Sequence, residues 1–298
     1  MSIIKGTIAP LPVTAEEMAM PLYKYYTRPL RRIGPLYAQA LDHGPIDKAY
    51  ATLTSDLTRH LLMPGEYEEV TTGYCQHPEG GGFFKHYSFY PGARHDMIKW
   101  YYTWLNVPVK NQPKGVGNMK YKIWCPADHF THAFINGVDN KDGVLTQESH
   151  GLGENSGTPY EEQFLSVRYP FDITKFGMEE GRLKAFKEAG CWIDPSVIRY
   201  YEPEIYWSTG VLKETLGSTI VISISRPTPG GLEKLSCGWI GWEIKNGRVV
   251  RNEATPWWKT KNDWIKMFLT HTSTEAQHLA DILPELYAEY SDKPIDAD

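Results

Sequence analysis

The sequence predicts an α+β domain in which helices pack on one face of an antiparallel sheet. Three observations support this class. Short runs of alternating apolar residues, bounded by turn residues, fill the middle of the chain and are typical of strands. Helical spacing of apolar residues occurs towards both ends. Residues 257–287 carry one long apolar stripe with few helix-breaking residues, and a final helix lying across a curved sheet would enclose a cavity.

The chain divides into two predicted parts. Its 298 residues, 41% of them hydrophobic, suit one large domain or one core with a smaller appendage. Residues 1–65 are predicted as a helical N-terminal region, because residues 33–40 and 48–62 have apolar residues at helical spacing. The Met-Pro-Gly sequence at 63–65 then breaks the pattern. Residues 66–298 form the predicted main domain.

The elements of the main domain follow in chain order. The predicted strands share alternating apolar residues next to turn residues, and they cover residues 69–76, 82–89, 119–124, 143–148, 161–169, 218–225 and 234–244. The predicted helices have apolar residues on one face, and they cover residues 94–105, 179–189 and 257–287. A polar, glycine-rich stretch at 151–158 predicts a loop.

Composition argues against several classes of function. The net charge is −5 and no long basic run occurs, so we expect neither nucleic acid nor an anionic membrane as a partner. The four cysteines contain no CxxC pair and predict neither a zinc module nor a disulfide framework. Reduced thiols are typical of the cytosol. We find no apolar signal core and no run of about 20 apolar residues, and therefore expect a cytoplasmic location.

Aromatic residues reach 13% of the chain, with 10 Trp and 19 Tyr. This richness fits either an aromatic-lined cavity or an aromatic core. Trp207, Trp239 and Trp242 are candidates for stacking on a planar ligand, and core packing is the alternative for each of them.

A histidine and a glutamate lie one turn apart on the final helix. His271 and Glu275 follow Trp264 and Phe268 along the same apolar stripe. A carboxylate on a buried face must be paired or bound to a cation, because burying an isolated charge is costly. Histidine with a carboxylate suits zinc. The alternative for such a pair is an ordinary surface ion pair.

A second segment supplies further candidates. Residues 121–132 read Tyr-Lys-Ile-Trp-Cys-Pro-Ala-Asp-His-Phe-Thr-His, so a predicted strand ends at Pro126 and two histidines follow. Either His129 or His132 could be a third ligand. The alternative is a loop histidine that is hydrogen-bonded to Asp128.

A fourth ligand would be a carboxylate from the middle strands. Glu161 and Glu162 are adjacent candidates, and Glu148 is another. In a regular strand Glu161 shares a face with Leu165 and Val167, which would turn it towards the core and Glu162 towards water.

Several segments, taken in order, resemble one known family. They are Gly-Tyr-Cys at 73–75, Trp-Tyr-Tyr-Thr-Trp at 100–104, Tyr-Lys-Ile-Trp at 121–124 with Pro126 and Asp128-His129, and finally His271 with Glu275. Spread over residues 67–283, they are similar to the 2,4-diacetylphloroglucinol hydrolase family, which includes phloretin hydrolases. The resemblance implies a helix-grip fold like those of Bet v 1 and START domains, a small helical N-terminal part, and a homodimer.

The resemblance also implies a ligand set and a reaction. One zinc ion would be held by two histidines and two glutamates, which on this sequence are His129, Glu161, His271 and Glu275. Tyr121 matches a family tyrosine eight residues before the first histidine ligand, and it would donate a hydrogen bond to the substrate. The family reaction hydrolyses the carbon–carbon bond between an acyl group and a polyhydroxylated aromatic ring, after protonation of the ring carbon.

Two positions depart from the family pattern. The family has an asparagine where this chain has His132. Its catalytic histidine lies on a strand leading into an arginine, and here Ser223 occupies that position before Arg226. We assign the proton shuttle to His132, because a histidine exchanges protons near neutral pH. The alternative is a histidine of a surface loop.

Two other functions remain open from the sequence. A metal-dependent cyclisation, isomerisation or retro-aldol step on a related polyketide would use the same ligands but would release no acid from acylphloroglucinols. A non-catalytic carrier of hydrophobic ligands would not need a metal. Two histidines and two carboxylates also suit iron or manganese as well as zinc.

Overall fold

The computed structural model describes most of the chain. The described residues are 10–31, 34–114, 116–134, 144–149, 163–202, 205, 208–209, 211–212 and 215–298.

The central element is a large antiparallel sheet. Its strands are β1 (Gly73–Gln76), β2 (Gly82–Pro91), β3 (His129–Phe134), β4 (Val144–Ser149), β5 (Gln163–Pro170), β6 (Trp192–Tyr201), β7 (Thr215–Thr228) and β8 (Gly231–Ile240). They form one eight-stranded sheet in the order β1-β2-β8-β7-β6-β5-β4-β3, and every pairing is antiparallel. A separate hairpin follows, with strands β9 (Trp242–Lys245) and β10 (Arg248–Arg251).

The helices are mostly short, apart from the last. They are α1 (Ala15–Met18), α2 (Tyr23–Tyr26), α3 (Pro35–Asp42), α4 (His95–Trp104), α5 (Met119–Lys122), α6 (Glu180–Glu188) and α7 (Asn262–Tyr290). Helices with a large antiparallel sheet confirm the predicted α+β class. Helix α7 has 29 residues and a preceding 3-10 turn at Trp257–Thr260. Within the described residues, no helix combines the length and the apolar character needed to cross a membrane.

Residues 48–62 do not form the predicted helix. They contain two 3-10 turns, Lys48–Tyr50 and Thr54–Asp56. The Asp47 side chain accepts a hydrogen bond from the amide of Ala49, and Glu79 accepts one from the amide of Thr54. Side chains that satisfy backbone amides in this way compete with a helix.

Residues 119–124 were predicted as a strand, and this is wrong because they begin with helix α5. The Asn118 side chain caps this helix by accepting a hydrogen bond from the amide of Lys120 at 3.0 Å. Every side chain from Met119 to Ile123 is buried, so the alternation of apolar residues does not mark a single buried face. The strand of this region, β3, begins later, at His129.

The two faces of the sheet are covered differently. Helix α7 lies against β1 and β2 on one face, where Trp264 and Phe268 pack with Phe84. On the other face, residues of the 44–66 segment and of α6 pack against apolar side chains of β7 and β8. Trp239 and Trp242 belong to that second cluster, so core packing is correct for both. Trp207 lies outside the described residues.

The N-terminal residues pack on the last helix. Leu22 and Tyr25 join the hydrophobic cluster that contains Leu283 and Leu286 of α7. Three ion pairs also link the two segments, namely Lys24 with Glu289, Arg28 with Glu285, and Arg31 with Asp281. The predicted boundary at residue 65 remains a prediction.

Candidate metal centre and active site

The candidate site lies where α7 faces the start of β3. His271 and Glu275 are one turn apart on α7, as their spacing predicts. His129 is the first residue of β3, and the turn before it is tight, because the amides of Asp128 and His129 both donate to the carbonyl of Cys125. This turn brings His129 to the helix, with 5.4 Å between the rings of His129 and His271.

Two histidine nitrogens approach the same carboxylate oxygen. The Nε2 atom of His129 lies 3.4 Å from Oε2 of Glu275, and Nε2 of His271 lies 3.7 Å from that oxygen. Zinc bonds of about 2.0–2.1 Å arranged as a tetrahedron would separate neighbouring ligand atoms by about 3.4 Å. Each histidine nitrogen therefore lies at about the distance from Oε2 of Glu275 that two ligand atoms of one ion would have.

The other ring nitrogen of each histidine has a hydrogen-bond acceptor. Nδ1 of His271 lies 2.6 Å from Oδ2 of Asp128, and Nδ1 of His129 lies 3.3 Å from the carbonyl oxygen of Tyr121. An Nδ1–H group held by an acceptor leaves the Nε2 lone pair available to a metal, and such contacts orient the ring. In both histidines this lone pair is on the side of Glu275.

The site is buried. His129 is fully inaccessible and its Nε2 has no hydrogen-bond partner among the described residues. A buried polar atom without a hydrogen-bond partner lowers stability by about 1–3 kcal/mol. A bound ligand at that atom would remove this cost. Burial opposes the charged form of His271, but the hydrogen bonds to Asp128 and Cys125 and the negative charges of Asp128 and Glu275 together outweigh it and raise the pKa of His271 well above the ordinary value.

Cys125 is an alternative third ligand. A ligand atom from each of Cys125, His129 and His271 lies within 4.8 Å of the others. The Cys125 thiol, however, is next to Asp128, with 4.0 Å between Sγ and Oδ2, on the Nδ1 side of His271. Burial also raises the pKa of this thiol to about 12. Cys125 and Glu275 are therefore the two candidate partners of His129 and His271, and Glu275 is the one that both Nε2 atoms approach.

A cavity of about 320 Å³ opens beside these ligands. That volume is at the lower end of the range for small-molecule sites. Its walls come from α4, α5, α7 and strands β2, β3 and β5–β8. Among the described residues, the aromatic side chains that line it are Phe84, Tyr102, Tyr121, Trp124, Trp192, Tyr200 and Phe268. The sequence suggested an aromatic-lined cavity, and the tryptophans that line it are Trp124 and Trp192.

Tyr121 and His132 both line the cavity next to the histidine ligands. The Tyr121 ring stacks on His129, with 4.0 Å between centroids and 2° between planes. The His132 ring lies 4.9 Å from Tyr121. His132 is buried, so the alternative of a surface loop residue is wrong. Asp128, considered as a partner for a loop histidine, instead holds His271 of α7.

The acidic candidates of the middle strands are only partly described. Glu161 and Glu162 lie outside the described residues, and Glu148 pairs with His129 in the β3–β4 register. The face of Glu161 is therefore untested, but the expectation that the opposite face of this strand meets water is wrong at Ser166 and Arg168. Ser166 and Arg168 line the cavity, whereas the other strand face packs Leu165 and Val167 in a separate cluster. Glu161 as a ligand therefore remains a prediction that rests on the family resemblance.

Ser223 lines the cavity from β7. Its hydroxyl lies 2.7 Å from that of Ser236, its direct neighbour on β8. Three charged side chains that line the cavity were not proposed from the sequence, namely Arg168, its ion-pair partner Asp194, and Lys234. Only the strand pairing brings these residues to one wall, because they are far apart along the chain.

A larger cleft of about 500 Å³ lies elsewhere, lined by Lys99, Phe186, Lys187, Cys191 and Trp192 among others. No set of metal-binding side chains converges in it among the described residues. It is therefore not the candidate site.

Comparison with known proteins identifies the family of this chain. The family model for the DAPG hydrolase PhiG domain matches residues 53–288. The chain belongs to this DAPG hydrolase family. The resemblance found in the sequence is thereby confirmed, and the matched region contains both histidines and Glu275.

Curated relatives of this family member are similar over nearly their whole lengths. A phloretin hydrolase of Eubacterium ramulus is 25% identical over 295 residues, which cover 94% of each chain. A 2,4-diacetylphloroglucinol hydrolase of a Pseudomonas species is 21% identical and covers 90% of this chain and 88% of that protein. A 2,4-diacetylphloroglucinol hydrolase of Pseudomonas protegens is 20% identical, covering 90% of this chain and 84% of that protein.

Proposed function

We propose that this protein is a metal-dependent hydrolase that cleaves the carbon–carbon bond between an acyl group and a polyhydroxylated aromatic ring. One observation carries the proposal: the Nε2 atoms of His129 and His271 both approach Oε2 of Glu275 at the edge of an aromatic-lined cavity. The names of the relatives, phloretin hydrolase and 2,4-diacetylphloroglucinol hydrolase, support the substrate class.

The residues fit a zinc ion. His129, His271 and Glu275 would hold it, with Glu161 as the proposed fourth ligand. The buried Nε2 of His129 without a hydrogen-bond partner and the Nδ1 contacts to acceptors support this fit. Bound zinc would supply Lewis-acid polarisation of substrate oxygens and a lowered pKa for water.

The chemistry requires a proton donor near the ring. An aryl carbanion is a poor leaving group, so the ring carbon that carries the acyl group is protonated first, and a ring hydroxyl releases its proton to solvent, giving a dienone. We assign the proton on carbon to His132, which would donate it as the imidazolium. Neutral His132 then accepts a proton from water while the water oxygen bonds to the acyl carbonyl carbon. The ring–acyl bond breaks with its electrons returning to the ring as a phenolate, which takes up a proton from solvent, and the products are a carboxylic acid and the deacylated phenol.

Tyr121 and Ser223 would have different roles in this scheme. Tyr121 would donate a hydrogen bond to a substrate oxygen, and its stacking on His129 holds that ring in position. The hydroxyl of Ser223 is hydrogen-bonded to that of Ser236 at 2.7 Å. A serine hydroxyl is too weak an acid to replace a histidine as proton donor. This difference favours His132, which is buried beside Tyr121.

The helix-grip assignment belongs to the same proposal. Helix α7 lies across one face of an eight-stranded antiparallel sheet with a cavity between them, an arrangement that supports it. The family resemblance supports a homodimer, and the reduced thiols predicted from the sequence support a cytoplasmic location.

The test is acid release by the metal-loaded protein. Phloretin and 2,4-diacetylphloroglucinol are incubated with it, and the carboxylic acid and the deacylated ring are quantified by chromatography. We expect equal amounts of both products, one metal ion per chain, and loss of both activity and metal in Glu275→Gln. The control is Glu285→Gln, on the same helix but paired with Arg28 outside the cavity.

Two outcomes would contradict the proposal. A metal-loaded protein that releases no acid from these ketones at any pH would point instead to cyclisation, isomerisation or retro-aldol chemistry. A protein that binds the ketones but retains no metal would point to a carrier.

A further inference from the structure

Lys234 is a cation on the wall of the cavity. It lies on β8 and lines the cavity together with Ser236, two residues further along the same strand face. Its direct neighbours across the sheet are Ser88 on β2 and Ser225 on β7. Both neighbours are uncharged, so the sheet itself offers Lys234 no countercharge.

Lys234 has no carboxylate within ion-pair distance among the residues that the structure describes. Its polar contact is the hydroxyl of Tyr102, 3.5 Å from Nζ. Burial raises the pKa of Tyr102 well above the ordinary value, so this phenol is neutral and does not balance the charge. A partly buried ammonium group without an anion is unfavourable.

The other cation of the cavity is different. Arg168 is paired with Asp194, and its Nε donates to the hydroxyl of Ser196 at 2.8 Å. Its charge is therefore already compensated by the protein. Of the two cations on this wall, Lys234 is the one that is left for an anionic group of a ligand.

We propose that Lys234 binds a phenolate oxygen of the substrate, so that the enzyme takes acylphenols with one ring hydroxyl ionised. This inference rests on the proposed function. The walls around Lys234 favour a planar aromatic anion, because Tyr102 packs against both Trp124 and Trp192. A phosphate group would call for a cluster of donors, whereas this wall offers a single uncompensated ammonium.

A bound phenolate would also assist the reaction. Conjugation with the acyl carbonyl makes the ring hydroxyl of an acylphenol acidic, and its proton passes to solvent before binding. The negative charge is shared with the ring carbons, so it increases the basicity of the carbon that His132 would protonate. When the ring–acyl bond breaks, the electron pair restores the same phenolate, which Lys234 stabilises at both stages.

The experiment uses the ultraviolet spectrum of the ligand. 2,4,6-Trihydroxyacetophenone is mixed with the metal-loaded enzyme in a stopped-flow instrument, and the difference spectrum is recorded before turnover. The variants are Lys234→Met, Lys234→Arg as the form that conserves charge, and Lys187→Met of the outer cleft as the matched control.

We expect the wild-type enzyme and the control to bind the ligand as the phenolate at pH values about one to two units below its ionisation in water. This corresponds to a preference of about 10- to 100-fold, as for a hydrogen bond to a charged group. Lys234→Met is expected to bind the neutral phenol and to raise KM by a similar factor. Lys234→Arg should retain much of the phenolate band.

A second ligand makes the test independent of folding. The fully O-methylated ketone has no ionisable hydroxyl, so it should bind wild type and Lys234→Met with equal affinity. The inference is overturned if Lys234→Met shows the wild-type phenolate band and affinity. Acid release without a phenolate band would reject this inference and leave the proposed function intact. A phenolate band without acid release would reject the hydrolase but retain the phenolate site.

Discussion

Replacing Asp128 with asparagine tests whether the metal centre depends on a contact behind the ligands. Asp128 is not one of the proposed metal ligands, but its Oδ2 lies 2.6 Å from Nδ1 of His271. Both side chains are buried, at 3% and 5% exposure. The asparagine has nearly the same shape and can still accept through its amide oxygen, so the substitution removes the charge and little else.

The expected magnitude follows from the kind of hydrogen bond. A bond that involves a charged group contributes about 1.5–3 kcal/mol, and a neutral one contributes about 0.5–1.5 kcal/mol. The difference of about 1–2 kcal/mol corresponds to a metal Kd that is about 5- to 30-fold weaker. Substituting a group that hydrogen-bonds a metal-binding histidine commonly lowers metal affinity or activity by about 10- to 100-fold. The two estimates therefore overlap.

The assay is a zinc titration against a chromogenic chelator. It compares wild type, Asp128→Asn and Asp194→Asn, whose acidic group is in the same cavity but is paired with Arg168. We expect weaker binding for Asp128→Asn alone, with an unchanged far-ultraviolet circular dichroism spectrum. A zinc Kd within twofold of wild type for a folded Asp128→Asn protein would refute the reasoning.

Three further predictions address the proton donor, the pH dependence of stability and a buried ion pair. His132→Asn should lower kcat by about 100-fold or more while KM and metal content stay near wild type, and near-full turnover would exclude His132 as the donor. Burial lowers the pKa of His86 from 6.5 to about 3; the unfolded chain therefore takes up a proton that the folded chain does not, and stability falls as the pH falls through this window. Urea titrations should show that His86→Phe removes about 1.4 kcal/mol per pH unit from the slope between pH 6 and 4, and equal slopes would contradict this. Glu17→Ala should lower the free energy of unfolding by about 3–5 kcal/mol, because it leaves the buried Lys122 ammonium, now 2.6 Å from Glu17, without its carboxylate partner. The double variant Glu17→Leu with Lys122→Met should recover most of the lost stability.

Local pattern was a good guide where one face of an element is buried. The stripe through Trp264, Phe268 and His271 marks the inner face of α7, and the structure places all three side chains there. Helices α4 and α6 and strands β2 and β7 likewise lie where alternation or helical spacing predicts them. When only one face of an element is buried, its apolar residues recur with the period of that element, and the sequence shows this directly.

The apolar pattern gave wrong secondary-structure predictions where an element is buried on all sides or where side chains hydrogen-bond to the backbone. Helix α5 is covered on all sides, so its apolar alternation resembles that of a strand. Residues 48–62 have apolar spacing, but contacts from Asp47 and Glu79 hold them in turns. Strand β6 had no predicted counterpart, since Asp194 and Pro195 interrupt its apolar residues. The burial of α5 and the contact from Glu79 depend on distant parts of the chain, which a local pattern does not include.

The residues themselves, through composition and spacing, establish the α+β class, the family and the pairing of His271 with Glu275, because these depend on local period and on recognisable segments. The tertiary structure alone decides which atoms meet. It brings His129 from another part of the chain to Glu275 and places Asp128 against His271 rather than against a nearby loop histidine. It also leaves Lys234 facing the cavity with no countercharge from the residues that the structure describes. Strand register and the turn before β3 create these contacts, and neither leaves a periodic signal in the sequence.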